Sequence, residues 1–122
     1  MLIIDANAIL RYILCDNTDM ANKVNELISR NVVTIRDEVM AEVIYVLEKL
    51  YSMPRDEIVS GIKLFLAQPN VSTESKDVLL LALEAFSKMR LDFVDCLLYG
   101  FKTVCGYNIF TFDKSFNSLI NR

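Results

Sequence analysis

Short apolar runs alternate along this chain with longer segments in which apolar residues recur every three or four positions. Runs of three or four aliphatic or β-branched residues predict buried strands, and the wider spacing predicts amphipathic helices. The predicted strands cover residues 2–4, 32–35, 71–74 and 108–111. The predicted helices cover residues 6–14, 20–29, 37–51, a segment that begins at 53–57, then 76–88, 92–105 and a short segment opened by Asp113. This alternation predicts an α/β fold whose parallel sheet is covered by helices on both faces.

Three residues mark where predicted helices begin or end. Asp37 is placed to cap the third helix, and Pro54 to occupy the first position of the fourth. Gly106 follows the helix that ends near Cys105, and glycine suits the left-handed conformation found there. No internal repeat or linker interrupts the pattern, so we expect the 122 residues to form one domain.

Composition narrows the class of protein. Apolar residues make up 53% of the chain, and glycine and proline are scarce, which excludes a disordered protein. No apolar run approaches the ~20 residues that span a bilayer, and the first residues show no signal peptide. The three cysteines are an odd number without Cys-x-x-Cys spacing. They predict reduced, mostly buried thiols in a cytoplasmic protein.

The absence of histidine decides which chemistry the chain can perform. Without histidine, Ser-His-Asp and Cys-His catalysis and His-rich zinc sites are excluded. Any acid, base or metal-binding role therefore falls chiefly to carboxylates. The 16 acidic residues outnumber the 13 basic ones, so net charge does not indicate a basic surface for nucleic acid. A cation held by carboxylates would reverse that sign locally.

Four acids occupy positions that a ligand site would use. Asp5 and Asp113 follow the first and last predicted strands, Asp95 lies in the first turn of a helix, and Glu42 lies one turn into another. In open parallel sheets, ligands bind beyond the carboxyl ends of the strands. We therefore expect these four carboxylates to converge at that edge.

Each acid also has a purely structural interpretation. Asp5 and Asp113 precede helices and could simply cap them. Asp92 and Asp95 have the spacing of a capping box. Glu42 borders an apolar stripe, so we expect its carboxylate to be partly buried. A partly buried carboxylate needs a partner, and no basic residue lies one helical turn away. A purely structural role is therefore harder to assign to Glu42 than to the three aspartates.

Four segments, taken in order, resemble the motifs of the PIN domain family. Residues 3–12, Ile-Ile-Asp-Ala-Asn-Ala-Ile-Leu-Arg-Tyr, resemble its opening strand, Asp and helix. Residues 40–47 resemble the second motif, a Glu on an apolar helix, and residues 91–98 the third, an Asp followed by a small residue and aliphatics. Residues 110–116 resemble the fourth, a strand followed by Thr-x-Asp. The resemblance spans residues 2 to about 119.

The resemblance implies a three-layer α/β/α domain with a four- or five-stranded parallel sheet, and an endoribonuclease that depends on Mg²⁺ or Mn²⁺. Within the family the chain looks most like the VapC-type toxins of prokaryotic toxin–antitoxin pairs. This implies RNA as substrate and an antitoxin protein as partner. Carried over by motif, the metal-binding and catalytic residues are Asp5, Glu42, Asp95 and Asp113, with Asp92 as an additional candidate. Residues placed to contact substrate or support the site are Asn7, Arg11, Arg36, Thr111 and Lys114.

The chain departs from the family pattern at two positions, and the first of them leaves a second function open. Ala6 stands where Thr or Ser is usual, and Cys96 stands where Ala is common. Loss of the hydroxyl at position 6 motivates the alternative of a PIN-like module that binds protein or RNA without cutting it. A phosphoacceptor receiver domain is disfavoured because Asp5 stands alone after the first strand, where that class has paired acids. A homodimer is compatible with the apolar content.

Overall fold

The chain divides between Glu74 and Ser75 into two compact units. The computed structural model describes residues 1–121. The first unit contains three strands and four helices, and the second contains three helices. Each of these units is described separately below.

A parallel sheet of three short strands organises the first unit. Strands β1 (Leu2–Ile3), β2 (Val33–Ile35) and β3 (Val71–Thr73) lie in the order β1-β2-β3. Ile3 pairs with Thr34, and Ile35 pairs with Thr73. Because parallel strands end at the same edge of a sheet, the residues that follow all three strands gather along one edge.

Four helices connect and cover these strands. They are α1 (Ala6–Leu14), α2 (Thr18–Arg30), α3 (Asp37–Tyr45) and α4 (Arg55–Leu66). A π-helical segment, Val46–Leu50, continues α3. The core of this unit includes the fully buried residues Ile9, Ile35, Met40, Ile44, Leu47, Ile58, Ile62 and Phe65.

The second unit is built on two closely packed helices. These are α5 (Lys76–Lys88) and α6 (Phe93–Cys105), and α7 (Lys114–Ile120) follows them. The rings of Phe86 and Phe93 meet edge to face, with centroids 5.9 Å apart. Gly100 is buried where α6 meets α5, and a Cβ atom there would lie 2.8 Å from the carbonyl oxygen of Val78. Gly100 therefore permits the close approach of the two helices.

Most predicted elements are confirmed, and one strand is wrong. All seven helices and the first three strands form within a few residues of their predicted bounds, and Gly106 ends α6 with a left-handed φ of 74°. Residues 108–111, predicted as a strand, form neither strand nor helix. Thus three strands, rather than four or five, pair within the described residues 1–121. An apolar run becomes a strand only by pairing with a neighbour, and a local pattern does not contain that information.

Three smaller predictions are corrected by the structure. Arg36 occupies the N-cap position of α3, and Asp37 is its first helical residue; Pro54 likewise occupies the N-cap position of α4. Only Cys96 is buried, whereas Cys15 and Cys105 are exposed, because both lie at helix ends. No helix among the described residues is long and apolar enough to cross a membrane.

The close approach at Gly100 generates a stability prediction. Gly100→Ala should lower the free energy of unfolding by roughly 1–3 kcal/mol, because the new methyl group must displace backbone of α5. Gly61→Ala in α4 is the matched control. Its Cβ would meet only Ile13 at an ordinary 3.8 Å, so the higher helix propensity of alanine should stabilise the protein by up to ~1 kcal/mol. Urea unfolding followed by circular dichroism measures both, and equal effects would contradict the proposed packing.

Candidate active site

Asp5 lies directly beyond β1, at the start of α1. Its Oδ1 atom accepts a hydrogen bond from the backbone N–H of Ala8 at 3.0 Å, so the side chain caps α1. The residue is exposed, and its second oxygen, Oδ2, has no hydrogen-bond partner in the described chain. The structural interpretation of Asp5 as a cap is therefore confirmed, and one carboxylate oxygen stays available for a ligand.

A groove between α1 and α2 opens beside Asp5. It encloses about 290 Å³ and is lined by Asp5, Asn7, Ala8, Arg11, Met20, Lys23, Val24 and Leu27. Asn7 is exposed there, next to the carboxylate. Arg11, predicted to meet phosphate, is paired with Asp16 at 2.8 Å. A hydrogen bond with Tyr51 and the charge of Asp16 raise the pKa of Arg11, so its guanidinium is engaged within the first unit.

Glu42 lies on α3 and is exposed rather than partly buried. Its neighbours Met40, Val43 and Ile44 fill the core, but the Glu42 carboxylate reaches solvent. The expectation that it needs a buried partner was wrong, since helical position bordering an apolar stripe does not fix where a long, flexible side chain ends. Glu42 makes no ion pair among the described residues, so its carboxylate is not committed to another side chain.

A cluster of charged residues follows β2 and β3, and Arg36 is its one member that the sequence analysis named as a candidate. Arg36 forms ion pairs with Glu38 at 3.1 Å and with Glu74 at 3.3 Å, and Glu74 also accepts the backbone N–H of Asp37 at 3.2 Å. Arg36 is thus neutralised within the first unit. Burial raises the pKa of Asp37, and the charges of Glu74 and Glu38 raise it further. Arg36, Asp37 and Glu74 each follow a strand closely in the sequence, and that position could have predicted this cluster.

In the second unit, Asp95 is a half-buried acid among other acids. It lies in the first turn of α6. Burial raises the pKa of Asp95, and the negative charges of Asp92 and Asp113 raise it further. The charges of both neighbours therefore act on Asp95, and no basic side chain among residues 1–121 lowers its pKa. This environment favours either a proton or a bound cation at Asp95.

Asp92 occupies the N-cap position of α6, but its side chain makes no capping hydrogen bond. The predicted capping box of Asp92 and Asp95 is therefore not formed. Its spacing was correct, but Asp at the fourth position is shorter than the Glu or Gln of a true box. The Asp92 carboxylate is exposed and is not used by the helix terminus.

Among these acids, Asp113 accepts the most hydrogen bonds. Its Oδ1 atom accepts hydrogen bonds from the Phe116 N–H and the Ser115 hydroxyl, both at 2.9 Å, and caps α7. These hydrogen bonds lower the pKa of Asp113. Thr111 supports the turn, because its hydroxyl oxygen accepts the Asp113 N–H at 3.0 Å. Lys114 is exposed beside it.

The donor chemistry of these residues suits a hard divalent cation. All candidate ligands supply carboxylate oxygens, which Mg²⁺ and Mn²⁺ prefer. A cation would also offset the repulsion that the charges of Asp92 and Asp113 exert on Asp95. In the described part of the chain, no group of three or more Asp, Glu or Cys side chains is arranged to hold a metal ion. Asp5 and Glu42 belong to the first unit, and Asp92, Asp95 and Asp113 to the second.

Comparison with known proteins identifies the family. The profile of the PIN domain family matches residues 2–120, nearly the whole chain. The chain therefore belongs to the PIN domain family, whose members are typically nucleases that bind RNA and generally depend on divalent metal ions. Neither the curated proteins nor the solved structures contain a significant match.

The raised pKa of Asp95 makes stability depend on pH in a defined direction. Because the folded state binds the Asp95 proton more tightly than the unfolded state, stability falls as pH rises from the ordinary Asp value of ~3.9 through the raised value. Asp95→Asn should therefore raise the melting temperature at neutral pH without metal, and should give no gain below the ordinary value.

Asp77→Asn is the matched control for this pH effect. Asp77 also lies in the first turn of a helix, α5, and is exposed. Both substitutions lose the same favourable interaction with a helix dipole, so their difference isolates the repulsion at Asp95. Thermal melts at neutral pH and below pH ~3.9 measure the change in melting temperature for each variant. An identical change in the two variants would show that Asp95 is not repelled by its neighbours.

Proposed function

We propose that this protein is an endoribonuclease that hydrolyses RNA phosphodiester bonds with Mg²⁺ or Mn²⁺. The observation that carries the proposal is the half-buried Asp95, whose pKa is raised by burial and by the charges of Asp92 and Asp113, in a chain of the PIN domain family. A bound cation would stabilise the ionised form of Asp95 and would offset the cost of placing its charge near those of Asp92 and Asp113.

The proposed metal ligands are Asp5, Glu42, Asp95 and Asp113, with Asp92 as an additional ligand. Asp5 can cap α1 and bind a metal ion at the same time, because its capping hydrogen bond uses only the Oδ1 atom. At Asp113 both hydrogen bonds are likewise received by Oδ1. The Glu42 carboxylate is exposed and unpaired in the described chain. All four therefore keep at least one oxygen that can face a cation.

A bound ion would supply positive charge to the scissile phosphate and would make a water molecule more acidic. The role of the side chains themselves would be to hold this ion in place. The capping hydrogen bonds restrict rotation of the Asp5 and Asp113 side chains. Asp95 would bind the ion in its ionised form. Lys114, exposed beside Asp113, is placed to contact a flanking phosphate, and Asn7 to hydrogen-bond the substrate or a site carboxylate. We do not extend this role to Arg11 or Arg36, which are paired with acids.

The proposal predicts metal-dependent cleavage of RNA by the purified protein. Activity should require Mg²⁺ or Mn²⁺ and stop in EDTA. Asp5→Asn and Asp95→Asn should each lower the rate at least ~10²-fold, because each removes a charged ligand. Asp77→Asn, on the exposed start of α5, should cleave at the wild-type rate. Cleavage of a labelled RNA, analysed on denaturing gels, measures all four proteins.

Two results would contradict this assignment. Undiminished cleavage in EDTA would show that the activity does not depend on a metal ion. A larger loss of activity in Asp92→Asn than in Asp95→Asn would show that Asp92, not Asp95, is the principal ligand of that pair. The exposed, uncapped carboxylate of Asp92 makes this comparison necessary.

We further propose that the chain is the toxin of a prokaryotic toxin–antitoxin pair, of the VapC type, that acts in the cytoplasm. The support is the resemblance of its four motifs and the acidic character of the proposed site. Negatively charged pockets favour an inserted Arg or Lys, which is how an antitoxin could block this one. A homodimer remains part of this proposal.

A growth assay tests the toxin proposal. Induced expression in a bacterial host without the antitoxin should slow growth, and expression of Asp5→Asn at the same level should not. The substitution keeps a side chain that can still cap α1, so the fold should be preserved. Equal growth with both proteins would favour the alternative function, a PIN-like module that binds without cutting.

A specific feature supports that alternative. Ala6, next to Asp5, is buried at 7% exposure and carries no hydroxyl where the family usually has Thr or Ser. The first unit therefore lacks one polar group that could orient Asp5. RNA binding without cleavage in any divalent metal would establish the binding-module function.

A further inference from the structure

The groove between α1 and α2, which opens beside Asp5, has an apolar floor. Met20, Val24 and Leu27 recur every three or four residues, so they share one face of α2, and Ala8 of α1 completes the floor. All lining residues belong to the first unit, which therefore forms the groove by itself. Its volume of about 290 Å³ is at the lower end of the range for ligand pockets, so it suits a small group.

Contacts at both ends of the two helices hold the walls of the groove in place. Arg11, in the last turn of α1, pairs at 2.8 Å with Asp16 in the turn that leads to α2. Asn17 caps α2 by accepting the N–H of Met20 at 3.0 Å, and Asp5 caps α1. The groove is therefore formed before any ligand binds, and binding does not have to order it.

Three polar side chains that line the groove keep hydrogen-bonding capacity that the protein does not use. Asp5 has its Oδ2 atom free, and the side-chain amide of Asn7 has no hydrogen-bond partner in the described chain. Lys23 is exposed and forms no ion pair among residues 1–121, whereas Glu26, one turn further along α2, pairs with Arg30 at 3.1 Å. An apolar floor with a few unused polar groups is the usual composition of a ligand site.

The charges along the groove indicate which ligand it fits. The Lys23 ammonium attracts an anion, and a metal ion held by Asp5, as proposed above, would attract a second one. Between them lie the apolar floor and the amide of Asn7, which can both donate and accept hydrogen bonds. A nucleotide within an RNA chain has the same order of groups, since its base has apolar faces and a hydrogen-bonding edge and lies between two phosphates. A peptide could also fill an apolar groove, but its backbone carries no charge to match both positions.

We propose that the α1–α2 groove binds the base of the nucleotide next to the scissile phosphate, and that Lys23 contacts the phosphate on the far side of that nucleotide. The Asn7 amide hydrogen-bonds the edge of the base. This inference rests on the proposed ribonuclease function and adds to it a site that selects the sequence to be cut. Met20 and Lys23 lie outside the four segments that resemble the PIN motifs, so α2 supplies this site independently of them.

The base preference of cleavage tests the floor of the groove. Given a pool of RNAs of random sequence, the wild type should cut with a preference at one nucleotide next to the cleaved bond, read by sequencing the product ends. Met20→Ala should weaken the preference at that nucleotide alone, because it removes apolar surface from the groove. Leu64→Ala, at a 75% exposed apolar position of α4 outside the groove, is the matched control and should keep the wild-type preference.

The salt dependence of RNA affinity tests Lys23 without cleavage. Affinity for the same RNA pool, labelled with fluorescein, is measured by anisotropy at several salt concentrations with Ca²⁺ in place of Mg²⁺. Each phosphate contact adds about 0.7 to the slope of log affinity against log salt for single strands, so Lys23→Gln should reduce the slope by about 0.7. Lys63→Gln removes the same charge from an exposed position of α4 outside the groove and should leave the slope unchanged.

The outcomes separate failure of the groove site from failure of the proposed function. If the wild type cleaves RNA without base preference, or if Met20→Ala keeps the wild-type preference, the groove does not hold a base and the ribonuclease stands. If Lys23→Gln keeps the wild-type slope, or changes it no more than Lys63→Gln, Lys23 contacts no phosphate and the proposed site is wrong. If the wild type does not cleave RNA in any divalent metal, both proposals fail. Circular dichroism should show an unchanged fold in each variant, because all four side chains are exposed.

Discussion

The first turn of a helix presents backbone N–H groups that have no partner within the helix, and in this chain acidic side chains supply partners. Asp5 and Asp113 each accept such an N–H with Oδ1, at 3.0 and 2.9 Å. The hydrogen bonds that fix these helix starts also fix the carboxylates in place, and the Asp5 bond leaves Oδ2 without a protein partner. Capping therefore leaves a carboxylate oxygen free for the proposed metal-binding role, and it would hold that oxygen in a defined position.

Asp95 differs from Asp113 because its surroundings disfavour the charged form of its carboxylate. Burial and the nearby charges of Asp92 and Asp113 raise its pKa, whereas hydrogen bonds lower that of Asp113. The second unit thus contains one well-stabilised carboxylate and one that is ionised at a cost. Such opposed shifts are typical of functional sites, since a cation that relieves the cost also binds more tightly because of it. The membership of the chain in the PIN domain family supports the proposed metal-binding role of these acids.

The sequence predicted what depends on neighbours along the chain and missed what depends on contacts across it. The helices and the caps Asp5 and Asp113 follow from local spacing, and they are confirmed. The strand at 108–111 was wrong because pairing, not composition, makes a strand. Glu42 was expected to be partly buried but is exposed, and one of the two ion pairs that neutralise Arg36 joins it to Glu74, which is far away in sequence. The three-layer arrangement and the convergence of four acids stay predictions.

Paramagnetic broadening by Mn²⁺ tests most directly whether the proposed ligands hold one cation. In a ¹⁵N-labelled sample, substoichiometric Mn²⁺ should selectively broaden the amide resonances at Asp5, Glu42, Asp95 and Asp113, and excess Mg²⁺ should reverse the effect. Asp95→Asn should weaken the broadening at the other three positions together. Broadening confined to the acids of one unit, or spread equally to exposed acids such as Asp77, would contradict the proposed ligand set.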